Sequence, residues 1–499
     1  MTERLESPAD STQDDADIKA LAKGGRTNVF GFVLRLAARL PFLFIAGRLY
    51  GPEALGRFAY AILIVEFAAQ LATLGLRRGL AEALTKGDRP DAHVVADAML
   101  VAMFASAIGA AILIAVPQVM FPNSAINGLD RFLPLTIFTI VGTEIALAAL
   151  AYRFDVASTV RARAIVEPWT ISIAAGALFF YSARDGLILS YVASVIAAFL
   201  AALWPLWRSY GLPWGWKPRP AELYQLARRN LPLAAADAAE WGSRRLDLAI
   251  LGLFASPAVV GIYYVAQQVA SLPQKLKTSF DPILGPVITR NLAAKNYPEI
   301  ARQVGQVGFW IIAAQAGIAL ALGIPGEGVM GLVGPEFVGG TAALAFLLAA
   351  EVVAATAVVS ESALVYMARH RNLMLSLGML ALQVVLSLIL LSLVPMLPIR
   401  PEFTGLAQAA AVAAALMLAL GAASFAKALL LAKLLGAPLK IWRWSIAPAI
   451  AAATLVGIGF TWLPEWVELA VGIPAILGIY LALVWRYAFG AEDRVLFKR

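Results

Sequence analysis

The sequence predicts an all-α polytopic membrane protein of about 14 transmembrane helices, in two six-helix pseudosymmetric lobes followed by two C-terminal helices. Three observations predict it. The 499 residues are 61% hydrophobic and 14% charged, too little polar surface for a soluble chain of this length. Apolar stretches of about 20 residues, enough to cross a hydrocarbon core as helix, recur along the chain. The basic residues fall into alternate connections between those stretches.

Fourteen segments qualify: 29–49, 58–76, 94–116, 132–151, 164–181, 187–207, 231–254, 257–276, 304–324, 341–366, 373–394, 405–426, 445–463 and 467–485. The eighth has a short apolar stretch, and Pro273 interrupts it. With the N-terminus inside, and with Arg48 and Lys275 at segment ends counted with the connections they border, 31 of the 40 Lys and Arg lie in the tails and inner connections, five in outer connections and four within segments. A missed or extra helix would invert every later loop and spoil that split, so the count and the orientation support one another. Trp204, Trp207, Trp442, Trp444, Trp462, Trp466 and Trp485 sit near segment ends, where an indole ring favours the interface.

Residues 1–25 read as a disordered cytoplasmic tail without an apolar signal region. The N-lobe is then 26–207, a cytoplasmic linker 208–230, the C-lobe 231–432, and the last helix pair with its tail 433–499. This places a multi-pass protein in the bacterial inner membrane with both termini cytoplasmic. The net charge of +8 is spread over many connections facing lipid headgroups, so membrane lipids and not nucleic acid are the expected polyanionic partner. There are no cysteines and two histidines, His93 and His370, which leaves no metal site and no cofactor motif; no phosphate-binding Gly-rich loop ending in Lys-Ser or Lys-Thr occurs.

A shift of 205 residues brings the first hairpin onto the seventh and eighth segments. Pro52 then meets Pro257, Gly56 meets Gly261, Phe58 meets Tyr263, Arg39 meets Arg244 and Arg35 meets Glu240. Segments one and seven both run outward, so the repeat is parallel, about an axis along the membrane normal.

Charges inside segments mark candidate sites, because each costs about 2.5–3.5 kcal/mol near mid-bilayer on insertion scales. Arg35 and Arg39, four apart, share one face of the first helix and suit an anionic ligand such as a phosphate. On a continuous seventh helix Asp237, Glu240, Arg244 and Asp247 fall within an arc of about 80°, and Arg245 points elsewhere. These six residues are the candidate substrate-binding set. The alternative is that Arg244 pairs with Glu240 within its own helix for packing. Glu66, Glu144 and Glu351, with Glu361 beside them, are candidate ion-coupling acids. The in-register pair Arg35 and Glu240 is expected to close and open with the lobes.

The stretch GRLYGPEALGRFAYAILIVEFAAQLATLGLRRGLAEAL, with its Gly-Pro-Glu turn and Gly-Leu-Arg exit, resembles the first hairpin of the O-antigen-type polysaccharide flippases of the multidrug/oligosaccharidyl-lipid/polysaccharide exporter superfamily. VMGLVGPEFVGGTAALAFLLAAEVV, 329–353, resembles their turn between helices nine and ten. The resemblance implies a flippase that carries undecaprenyl-diphosphate-linked oligosaccharide from the cytoplasmic to the periplasmic leaflet by alternating access, for surface polysaccharide such as lipopolysaccharide. It also implies a cationic cavity for the diphosphate, and a polysaccharide polymerase or glycosyltransferases as further partners of the polyprenyl-diphosphate-linked glycan. Arg35, Arg39 and Arg244 are the residues it carries over; the acids of helix seven depart from a purely cationic lumen.

The other readings are a cation-coupled drug or metabolite exporter, or a peptidoglycan lipid-precursor flippase, of the same superfamily. The appended helix pair weighs against the drug exporter. A membrane-embedded polymerase or ligase is remote, since the outer connections are too short for a catalytic loop, and no enzyme activity is expected.

Overall fold

The computed structural model describes residues 40–86, 89–277, 281–490 and 492–494. The described chain is helical, without strands. Thirteen of the fourteen expected segments coincide with helices, and the first enters the described residues with its last turns, 40–50. Among the described residues, nine helical stretches are long and apolar enough to cross a membrane, and 444–460 is a shorter apolar helix. The expected all-α polytopic membrane architecture is the one observed.

Contacts divide the chain into two compact units, the first ending at Tyr264 and the second starting at Val265. The boundary therefore falls inside the eighth segment and not in the linker at 208–230. The seventh segment packs with the first six. The linker is also shorter than expected, because helix resumes at Pro220.

In the first unit, helix α1 (40–50) leads into α2 (Gly51–Ala72), α3 (Leu76–Thr85), α4 (Asp91–Ala115), α5 (Thr136–Tyr152), α6 (Glu167–Phe179), α7 (Gly186–Tyr210), α8 (Pro220–Ser243), α9 (Leu246–Phe254) and the start of α10 (Pro257–Lys277). Pro opens α8 and α10 and stands second in α2, where its missing N–H costs nothing. Helices α2 and α10 cross at their N-termini with backbone against backbone. A Cβ on Gly56 would stand 1.7 Å from the Pro257 carbonyl oxygen, and one on Gly261 would stand 2.0 Å from that of Pro52. The contact is reciprocal: each glycine faces the carbonyl of the proline on the other helix.

The loop before α5 is held by Arg57. This buried guanidinium pairs with Asp130, donates to the Ala125 carbonyl at 3.0 Å and lies over the Phe121 ring. At the other end of the unit, Asp97 of α4 accepts from Trp216 at 2.8 Å and from Arg89, fixing residues 211–219 against α4. Arg219, hydrogen-bonded to Glu222, holds that carboxyl below the ordinary range.

The second unit continues α10 and adds α11 (Asp281–Ala293), α12 (Tyr297–Gly323), α13 (Gly326–Val333), α14 (Thr341–Met367), α15 (Arg369–Leu393), α16 (Thr404–Leu435), α17 (Ala447–Phe460) and α18 (Ile473–Leu483). Pro273 leaves α10 unbroken, and its carbonyl accepts from Gln315 of α12 at 3.2 Å. Helix α12 is the buried spine. The C-terminal pair docks on it: the Tyr480 ring lies over Gly317, and its hydroxyl donates to the Ala313 carbonyl at 2.7 Å. Buried Asp493 ties residues 492–494 to this unit, accepting from Trp310 at 2.9 Å and pairing with Arg443 at 2.5 Å.

Candidate functional site

The charged residues of the first unit converge where α3 lies against α8. The sequence Gly75-Leu-Arg-Arg-Gly79 makes the approach possible. Gly75 has φ of 69°, a left-handed value that turns the chain from α2 into α3. A Cβ on Gly79 would stand 1.6 Å from Asn230 Oδ1, and one on Gly75 would stand 2.6 Å from the Ala234 nitrogen. With both glycines bare, α3 seats on α8, and Arg78 reaches two acids there. Its Nε lies 2.9 Å from Asp237 Oδ1, and its Nη2 donates to Glu240 at 2.9 Å. The Asp237 side chain is fully buried. Its contact with Nε is off the hydrogen-bond line, so both carboxylate oxygens lack a hydrogen-bond partner. At Asp237 the attraction is one of charge, while the hydrogen bond to Glu240 orients the guanidinium.

The expected single acidic-basic face of the seventh segment is not formed. The helix stops at Ser243, turns through Arg244 and Arg245, and restarts at Leu246. Gly242 and Ser243 are weak helix formers, and the Ser243 hydroxyl bonds back to the Glu240 carbonyl at 2.8 Å. The turn parts Asp247 from the other three. Buried Asp247 accepts from the Tyr263 hydroxyl at 2.6 Å. Arg244 is exposed and reaches Glu240 of its own helix at 3.3 Å, the packing alternative named above, with Arg78 as a third member.

The same turn redirects Arg245, which the continuous-helix projection sent elsewhere. Its Nη1 donates to Glu66 at 2.8 Å, and Glu66 also accepts from Tyr191 at 3.2 Å. The guanidinium lies 4.7 Å from the centre of the Trp241 ring, which stacks near Phe67. A third group lies on the other side of α3. Glu144 of α5 pairs with Arg163, which also pairs with Glu167 at 2.6 Å, and Arg77 stands 4.0 Å from Glu144. Arg77 and Arg78, neighbours in sequence, thus serve two clusters.

The assembled site carries Arg77, Arg78, Arg163, Arg244 and Arg245 against Glu66, Glu144, Glu167, Asp237 and Glu240. Among the described residues it is balanced, five against five. Arg77, Arg78, Arg244 and Arg245 are all more than 40% exposed. Each can therefore turn to an anion without first leaving a buried position. Glu351 is half-buried on α14 and belongs to the second unit. Arg35 and Arg39, and with them the Arg35–Glu240 pair, lie outside the described residues. No cluster of three or more metal-ligating side chains occurs among the described residues.

A family model described as polysaccharide biosynthesis protein matches residues 45–304, more than half of the chain. The chain belongs to the polysaccharide biosynthesis protein family. Among curated proteins none matches its sequence. By structure it is similar to the lipid II flippase MurJ in an inward closed conformation, with a TM-score of 0.66 at 11% identity over 93% of this chain and 97% of that one. It is similar also to an inward-facing multidrug resistance MATE family transporter of the MOP superfamily, with a TM-score of 0.58 at 13% identity over 84% and 94%. The bent form of the Vibrio cholerae MATE transporter VcmN gives 0.51 at 15% identity over 84% and 98%. This member of the polysaccharide biosynthesis family thus has the fold of MOP-superfamily transporters and flippases.

Sequence reasoning missed Arg77, Arg78, Arg163, Glu167, Arg245 and Tyr191. For Arg78 a signal was present. Two glycines four apart around a basic residue mark a helix that packs closely and carries charge to its contact.

Proposed function

We propose that this polysaccharide biosynthesis protein is a flippase for polyprenyl-diphosphate-linked oligosaccharide. It would move the glycolipid from the cytoplasmic to the outer leaflet of the inner membrane, with both termini cytoplasmic. The observation that carries the reading is the family match combined with a flippase fold that spans the chain. The lipid II flippase structure covers 93% of the chain and the MATE structure 84%. The difference, 9% of 499 residues or about 45, is the size of the α17–α18 pair. An appended helix pair favours the flippase reading over the drug-exporter one.

The arginine turn supplies the chemistry. Arg78, Arg244 and Arg245 present exposed guanidinium forks, whose paired donors match a diphosphate bidentately. Each is held by a carboxylate that a diphosphate can displace, so binding loosens Glu240 and Glu66 from their partners. Glu66 is then an acid freed by substrate, which is how a coupling proton or cation would be exchanged with cargo, while Glu144 stays with Arg163. The candidate residues Asp237 and Asp247 position the turn without meeting substrate.

Native mass spectrometry of the purified protein tests the ligand class. Undecaprenyl-diphosphate-linked glycan should bind at least about tenfold tighter than undecaprenyl monophosphate, a margin of about 1.4 kcal/mol. Equal binding of the two lipids would remove the diphosphate from the proposal. Preference for the peptidoglycan precursor over surface-glycan carriers would favour the second superfamily reading.

A further inference from the structure

Helices α5 and α7 meet near their middles and part towards their N-terminal ends. A Cβ on Gly142 of α5 would stand 2.5 Å from the Phe199 ring of α7, so the two touch there. At its start α7 is drawn to other neighbours. A Cβ on Gly186 would stand 2.3 Å from the Tyr50 hydroxyl of α1 and 2.9 Å from the Leu178 carbonyl oxygen at the end of α6. A wedge opens between α7 and the chain entering α5, and it holds a cavity of about 320 Å³. Leu133, Thr136 and Thr139 wall it on one side, and Leu189, Val192 and Ile196 on the other. The two threonine hydroxyls are turned back on the backbone: Thr136 donates to the Leu133 carbonyl at 2.7 Å, and Thr139 to the Thr136 carbonyl at 2.8 Å.

Protein interiors hold few voids larger than a water. At about 30 Å³ each, the share of a water in the liquid, this one takes about ten water-sized groups, and an apolar cavity stays dry and binds apolar molecules. From Asp185 to Ile196 is about 16 Å of helix, half of the roughly 30 Å hydrocarbon core and so the depth of one leaflet. Phe132, Leu135 and Ile196 stand exposed along the opening. The N-terminal end of the groove is charged. Asp130 and Asp185 line it there, and both carboxylates are already engaged. Asp130 pairs with Arg57 and accepts from the Asn127 N–H at 2.7 Å, and Asp185 accepts from the Asn127 side chain at 2.6 Å. Their chain neighbours Arg131 and Arg184 are exposed. Arg184 donates to the Ala125 carbonyl of the same loop at 2.9 Å.

We propose that this groove binds one acyl chain of an anionic phospholipid, whose phosphate meets Arg131 and Arg184. Guanidinium forks match phosphate oxygens bidentately, and basic pockets between membrane helices bind anionic headgroups. A straight acyl chain suits both the depth and the volume. A polyprenyl carrier, methyl-branched and longer than a leaflet is deep, exceeds both. On the topology proposed above the charged end is periplasmic, so the lipid belongs to the outer leaflet. No residue of the arginine turn lines the groove, and the bound lipid is a fixed part of the first unit and not its cargo. By filling the wedge it holds α5 and α7 together and stabilises the folded unit.

The test uses the full chain, stripped of lipid in detergent and titrated with palmitoyl-oleoyl phosphatidylglycerol. Native mass spectrometry should show one saturable adduct, at least about tenfold tighter than phosphatidylethanolamine with the same chains, a margin of charge-assisted size. The same titration should raise the melting temperature. Val192→Trp fills the groove, and should lose both the adduct and the rise. Arg131→Gln with Arg184→Gln should keep the adduct and lose the preference for phosphatidylglycerol. Wild-type protein carries the test by a second route, whatever the fate of Val192→Trp. Phosphatidylglycerol with a diazirine on one acyl chain should label residues 129–139 and 185–196 on illumination. A folded Val192→Trp protein that keeps the saturable adduct would overturn the groove, as would label confined to other segments. Equal binding of the two phospholipids by wild type would overturn the headgroup contact. Undecaprenyl phosphate displacing phosphatidylglycerol one for one would overturn the phospholipid and give the groove to the carrier. None of these results depends on translocation, so the groove can fail while the flippase reading stands.

Discussion

Gly56→Ala unfolds the protein well below the wild-type temperature, and Gly261→Ala does the same. The new methyl group would stand 1.7 Å or 2.0 Å from a backbone carbonyl oxygen of the facing helix. A backbone atom cannot rotate aside as a flexible side chain can, so α2 and α10 must part by most of the missing distance. Overpacking with side-chain relief costs about 1–3 kcal/mol, and this site has no such relief, so each change should cost at least about 3 kcal/mol. Both changes act on one crossing. Once the helices have parted for the first methyl group, the second finds part of its space, so the double variant should cost much less than the sum of the singles. Gly478→Ala in α18 is the control: a Cβ there meets nothing within 4 Å, and the helix gains propensity. Thermal unfolding of the purified variants reads all four. A Gly56→Ala protein as stable as the control, or fully additive singles, would sink the reciprocal crossing.

Arg78→Ala has the second large effect, and its rescue separates two roles. The change strands the fully buried Asp237 carboxylate, whose oxygens have no hydrogen bond of their own. Breaking a buried pair on one side costs about 3–5 kcal/mol; Arg78 is half exposed, so a loss on the order of 3 kcal/mol is expected here. Adding Asp237→Asn removes the stranded charge and should restore most of the melting temperature. If Arg78 also receives the diphosphate, glycan export stays low in the rescued double variant, and Arg78→Lys in the wild-type background exports at an intermediate level. Export that returns together with stability would reduce Arg78 to a packing residue.

The close crossing of α2 and α10 was legible because it rests on small and rigid residues at fixed spacing. Pro52 with Pro257 and Gly56 with Gly261 are the residues that permit a close crossing, and the structure places those four in contact. Helix positions were legible from apolar runs and the loop bias of Lys and Arg. The shape of the seventh segment was not. A 100° projection presumes an unbroken helix, and the turn at Arg244–Arg245 undid the shared face of Asp237, Glu240, Arg244 and Asp247 while bringing Arg245 to Glu66. Arg78 escaped because a basic residue at a segment end satisfies the topology bias by itself, so nothing in the count demanded a second role. The groove between α5 and α7 escaped for a similar reason. Apolar runs place two helices in the membrane, and only the packed structure shows that these two part above Gly142 and Phe199.

Translocation in a defined membrane tests the central claim most directly. The purified protein is reconstituted into vesicles that carry undecaprenyl-diphosphate-linked oligosaccharide, and a membrane-impermeant glycosidase reports which leaflet exposes the glycan. The account predicts protein-dependent transfer of the glycan between leaflets, at a rate that falls in the stability-rescued Arg78→Ala, Asp237→Asn double variant. Glycan that stays in its original leaflet, in vesicles whose protein is folded and binds the diphosphate-linked lipid, would contradict it.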